Sequence, residues 1–83
     1  MTNELTPHIK YYSNKNLCIK GQKNSKGQRE GIWEWFYPNG NILRRAPHKE
    51  DRIDGIEEWF NEHGNITRTL VWKDGELIET IKH

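Results

Sequence analysis

One cysteine, four histidines and two adjacent glutamates are the residues of this 83-residue chain whose types could support covalent or acid–base chemistry. A thiol becomes a nucleophile only with a base oriented beside it, and nothing around Cys18 carries that signature, so it reads as a packed or half-exposed strand cysteine. His8, His48, His63 and His83 are scattered, without the i, i+4 or short paired spacing of a metal site. Glu57 and Glu58 are neighbours, so a strand projects them to opposite faces and separates the two carboxylates. The glycines fall at turns and unit starts and form no phosphate cradle. These residues lead to the expectation of a non-enzyme with no cofactor and no metal.

What the chain does hold is the chemistry of recognition. The stretch "GIWEWFYPNGNILRR", Gly31 to Arg45, places Trp33, Trp35, Phe36 and Tyr37 within five positions and ends on two arginines. A basic run precedes it: Lys10, Lys15, Lys20, Lys23, Lys26 and Arg29, with no acid between the first and the last. Tyr11 and Tyr12 lie in that run, and rings beside cations are the parts a single-strand nucleic-acid binder uses. Net charge is +1, yet residues 1–49 hold nine Lys or Arg against three acids and residues 50–83 hold four against nine. Such polarity suits an acidic partner for the basic run. The single cysteine forbids an internal disulfide, and "MTNELTPHIK" lacks the apolar run of a leader, so the cytoplasm is the expected compartment. No apolar stretch approaches the roughly 20 residues of a membrane span.

Positioning these residues requires a scaffold, and the sequence writes one as a repeat. Gly31, Ile32, Glu34, Trp35 and Phe36 return as Gly55, Ile56, Glu58, Trp59 and Phe60, and Gly40, Asn41, Ile42 and Arg44 as Gly64, Asn65, Ile66 and Arg68, each 24 positions on. Another step of the same length backwards sets Tyr11, Tyr12 and Lys20 under Trp35, Phe36 and Arg44. One domain, 1–83, follows: a degenerate unit 8–30, units 31–54 and 55–78, and a tail 79–83. Two-residue turns at Lys15-Asn16, Asn39-Gly40, His63-Gly64 and Asp74-Gly75 predict hairpins, with "NSKGQ" and "HKEDR" returning the chain. The predicted fold is all-β, a single antiparallel meander sheet of about seven strands.

Turn positions set the register. Trp35 is expected opposite Arg44, Glu34 opposite Arg45, Phe36 opposite Leu43, Trp59 opposite Arg68, Tyr11 opposite Lys20, Trp72 opposite Leu77 and Lys73 opposite Glu76. Alternation then puts Trp33, Trp35, Tyr37, Ile42, Arg44, Trp59, Ile66, Arg68, Leu70 and Trp72 on one face. The other carries Ile32, Phe36, Leu43, Ile56, Phe60, Val71 and Ile78. Neither face is polar throughout, which marks an interface.

The pattern "GIWEWFYPNGNI…DGIEEWFNEHGNI…WKDGEL" resembles the variant MORN repeat (membrane occupation and recognition nexus) over roughly Tyr11 to Leu77. It departs from that pattern at Asn16, where a glycine is usual, and in "RRAPHKEDRID", which lacks the aromatic and the Asn-Gly-Lys. The resemblance implies an open sheet of successive hairpins, and many bacterial proteins with this variant are antitoxin-like, while others occur in phages and mobile elements. The expected function is non-enzymatic protein binding that neutralises or regulates a toxin, or a host or phage enzyme, by occlusion. Trp33, Trp35, Trp59 and Trp72 are the expected anchors, with Arg44, Arg45, Arg68 and the basic run orienting the partner. Two other readings fit the same residues: a nucleic-acid binder using Tyr11, Tyr12 and the basic third, and a homo-oligomerisation module, a homodimer in its simplest form.

Overall fold

A computed structural model describes residues 4–83; residues 1–3, part of the expected domain, lie outside the described residues. Eight strands form one sheet: β1 (Thr6–Tyr11), β2 (Leu17–Lys23), β3 (Arg29–Phe36), β4 (Ile42–Lys49), β5 (Arg52–Ile53), β6 (Gly55–Phe60), β7 (Ile66–Lys73) and β8 (Glu76–Lys82). The order is β1-β2-β3-β4-β6-β7-β8, with the two-residue β5 also pairing β4, so the predicted seven-strand meander holds with one strand interrupted. The layer measures 43 × 36 × 12 Å. Among the described residues no further element packs on either side of it.

Turn chemistry accounts for the hairpins, with one correction. At Tyr37–Asn41 the Gly40 N–H donates to the Tyr37 carbonyl and the Tyr37 N–H to the Asn41 carbonyl, which makes a three-residue loop with Gly40 at φ +96°. Asn61–Asn65 repeats this with Gly64 at +91°, and Tyr12–Asn16 with Lys15 at +74°. Each is a turn followed by a left-handed residue rather than the predicted two-residue turn. Of the four predicted turns Asp74-Gly75, with both residues at positive φ, is a two-residue turn of the expected kind, and Glu50-Asp51 between β4 and β5 is another.

The longer loops change the register beside them. Phe36 pairs with Ile42, not Leu43, because Leu43 is the extra residue of a bulge, and Thr67 takes the same part between Trp59–Arg68 and Phe60–Ile66. Cys18 is the extra residue of the first hairpin, where Tyr11 faces Leu17 and Lys20 faces Ile9. The expected Tyr11–Lys20 pair is therefore absent. Tyr12 is the counterpart of Tyr37, one residue further than the strict 24-residue step, and their hydroxyls donate to the carbonyls of Phe36 and Phe60 at 2.5 and 2.8 Å. The remaining expected pairs, Glu34–Arg45, Trp35–Arg44, Trp59–Arg68, Trp72–Leu77 and Lys73–Glu76, are all present.

Adjacent loops are stitched by side chains. Asn14 and Asn16 donate to the Pro38 carbonyl at 2.8 Å, and Asn39 and Asn41 to the Glu62 carbonyl at 2.9 and 2.8 Å. Among the described residues the buried apolar side chains are Trp33 and Ala46. Gly21 makes room for the former: a methyl group there would lie 2.2 Å from an indole carbon. The core is one indole thick.

Candidate binding face

Because side chains alternate along each strand, pairing carries one row straight across the sheet: Lys10, Ile19, Trp35, Arg44, Trp59, Arg68 and Lys82. Trp33, Ala46, His48, Glu57 and Trp72 share that face. Rings and guanidinium groups interleave along it. Arg29 lies 4.8 Å from the Trp33 ring and 5.7 Å from Trp35, Arg44 lies 4.3 Å from Trp35 and 5.1 Å from Trp59, and Arg68 lies 4.9 Å from Trp59. These distances favour attraction between cation and ring, and the arginine stems cover the indoles.

Glu57 anchors this ladder. Buried at 2% exposure, it accepts from the Arg44 guanidinium and, at 2.7 Å, from the Trp72 indole N–H. Both partners of the carboxylate are thus on its own face. His8 and His48 complete the aromatic group, 5.3 and 6.3 Å from Trp33. The His48 Nδ1–H donates to the Ala46 carbonyl at 3.0 Å. Desolvation, reinforced by Arg29 and Arg44, holds His48 below the usual 6.5 even though the Ala46 carbonyl pulls the other way. His8 is lowered as well, by desolvation and then by Lys23, Lys10 and Arg29. Among the described residues the buried Trp59 indole N–H has no acceptor.

The charges are distributed by face more sharply than by sequence. Among the described strand residues Lys10, Lys23, Arg29, Arg44, Arg68 and Lys82 belong to the indole face, against the carboxylate of Glu57, which Arg44 already neutralises; the Asp51 carboxylate, in the turn after β4, lies at the edge, accepting from the Arg29 backbone N–H at 2.7 Å and acting on His48. The opposite face carries the row Ile9, Lys20, Glu34, Arg45, Glu58, Thr69 and Ile81, in which both signs alternate.

The expected site residues are placed unequally. Trp35, Arg44, Trp59, Arg68 and Trp72 come together on the indole face. Trp33 is on it too, but at 1% exposure it is core and not an anchor a partner could grip, a correction that follows from the Gly21 gap into which it packs. Arg45 lies on the other face, 3.3 Å from Glu34 and 3.4 Å from Glu58. The basic run is divided: Lys10 and Lys23 share the indole face, Lys20 is on the opposite one, and Lys15 and Lys26 occupy loops at opposite ends of the sheet. Arg29 crosses above two indoles. Glu57, His8 and His48 were not singled out as binding-face residues, although Glu57 shares its strand parity with Trp59.

Among the described residues no group of three or more His, Cys, Asp or Glu is placed to hold a metal ion. A cleft of about 460 Å³ lies where the Asn24–Gln28 loop meets Lys49 and Glu50. Its polar groups are bonded to one another, Asn24 to Glu30 at 3.1 Å and the Glu50 N–H to Glu30 at 3.3 Å.

The sequence profile of the MORN repeat variant matches residues 29–50 and 53–74, together more than half of the chain. No curated protein and no solved structure gives a match.

Proposed function

The chain belongs to the MORN repeat variant family, and from that premise we propose that it is a non-enzymatic binding module whose indole face holds an acidic, extended stretch of a partner protein. The observation that carries this reading is the one-sided charge: among the described strand residues six cations share a face with one carboxylate, Glu57, and Asp51 adds a second only at its edge. Arg44 is committed to Glu57, whereas Lys10, Arg29, Arg68 and Lys82 are exposed and free to receive carboxylates. The row they flank crosses seven strands, about 29 Å at the usual strand spacing, which matches about nine extended residues. Trp35 and Trp59 line it with flat, preorganised surface, so binding orders few side chains. Occupying such a stretch of a toxin, or of a host or phage enzyme, neutralises it by occlusion.

A titration of the protein with poly-L-glutamate and poly-L-lysine peptides, followed by tryptophan fluorescence at two salt concentrations, tests the reading. Saturable, salt-weakened binding of the acidic peptide alone supports it, and equal response to both peptides removes it. The same cations and rings favour nucleic acid as a second reading. Single-stranded DNA and RNA in the same titration separate the two, since a nucleic-acid site binds them more tightly than polyglutamate.

A further inference from the structure

The face opposite the indole ladder has no cover among the described residues, and its composition describes what would cover it. Ile9, Ile32, Ile56 and Ile81 stand 45%, 57%, 57% and 40% exposed, an apolar display that a solvated sheet face does not need. Across its middle runs Lys20, Glu34, Arg45 and Glu58, on β2, β3, β4 and β6. Read from either end, the signs are opposite at every step. A half-turn about an axis lying along the strands, between β3 and β4, turns the face over and reverses the strand order. It sets Lys20 of one copy on Glu58 of the other, and Glu34 on Arg45. Moving the axis by half a strand spacing, onto β3 or β4, sets Glu34 on Glu34 or Arg45 on Arg45. One register is complementary and its neighbours are repulsive.

We propose that this face is the interface of a symmetric dimer, and that its occupant is a second copy of this chain packed sheet on sheet. The outline of the layer, 43 × 36 Å, exceeds the roughly 800 Å² per partner of an ordinary stable interface. Aligned sheets pack about 10 Å apart, within reach of these side chains. The isoleucines supply affinity. The four charges, costly to desolvate, select the register and exclude others. Both indole faces then point outward, so this assembly is independent of the binding reading above, which uses the other side of the sheet.

Light scattering behind size exclusion, from micromolar to sub-millimolar concentration, is expected to give the mass of two chains for the unaltered protein. Lys20→Glu and Glu58→Lys each make the row self-repulsive, so each alone is expected at half that mass. Mixed in equal amounts they restore both contacts, and the two-chain mass is expected to return. Ile56→Glu, at a solvent-exposed position, provides a second route to the half mass, and far-UV circular dichroism confirms that each variant is folded. A half-mass species for the unaltered protein overturns the proposal, as does a mixture that stays at half mass or a folded Ile56→Glu variant that keeps the full mass. None of these outcomes bears on polyglutamate binding, so the two readings fail separately.

Discussion

On one face of the sheet the Trp33, Trp35 and Trp59 indoles are flanked by guanidinium groups and the Glu57 carboxylate is buried with two donors, one of them Trp72; on the other, isoleucines stand half in solvent beside ion pairs at 3.3 and 3.4 Å. The same repeat builds both, since each strand contributes alternately to the two. Where the described residues of one chain form a single layer, one face has to serve as that chain's core, and the indole face does so by stacking its rings and closing them with arginine stems. The opposite face contributes little to holding the strands together. It is free to carry exposed apolar residues because the stability of the fold resides on the other side.

Neighbouring residues can break this comparison. Trp33→Ala removes the one large side chain that is fully buried among the described residues and is expected to cost about 3–5 kcal/mol, enough to unfold most of so small a domain. Ile32→Ala, one residue away on the exposed face, is expected within about 0.5 kcal/mol of its parent when both substitutions are made in the single-chain Ile56→Glu background. Urea denaturation of the two variants measures the contrast directly. Glu57→Ala leaves the Arg44 guanidinium and the Trp72 N–H without their acceptor and is expected to cost about 2–3 kcal/mol. Glu57→Gln costs less, because the amide oxygen still accepts from Trp72.

Two finer substitutions sharpen it within the indole face. Trp72→Phe discards the bond to Glu57 and is expected to lower stability by about 1 kcal/mol more than Trp59→Phe, which discards a donor that has no acceptor. Acid is expected to act on this face too. His8 and His48 are held below 6.5 in the fold, so the unfolded chain binds more protons as pH falls through that value. The urea midpoint should be level above pH 7 and decline below 6.5, and a His8→Gln/His48→Gln variant should show a shallower decline. The smallest effect belongs to the other face: Arg45→Ala breaks two partly exposed ion pairs and is expected to cost under about 1 kcal/mol.

Much of this division was legible in the sequence. Period-two alternation sorted Trp35, Arg44, Trp59 and Arg68 onto one face and Ile32 and Ile56 onto the other, and the Asn-Gly and His-Gly signals located the loops. Loop type was not legible, because Asn39-Gly40 serves a two-residue turn and the end of a three-residue loop equally well. That ambiguity displaced Phe36 from Leu43 to Ile42 and set Lys20 opposite Ile9. The burial of Trp33 depends on Gly21, a residue 12 positions away with no side chain to announce the contact. Along the chain, charge divides into basic and acidic halves. Folding re-sorts it by strand parity, so Lys10 and Lys82, at opposite edges, join one face while Lys10 and Lys20 separate.

The most direct test compares two double variants with the same net charge on the two faces. Lys10→Glu/Lys82→Glu reverses the exposed ends of the indole row, and Lys49→Glu/Lys73→Glu alters the opposite side by the same amount. In the polyglutamate titration the first pair is expected to lose binding at least about tenfold, equivalent to about 1.4 kcal/mol, while the second stays close to the unaltered protein. Equal losses from both pairs would show that only net charge matters and would contradict the assignment of the binding face.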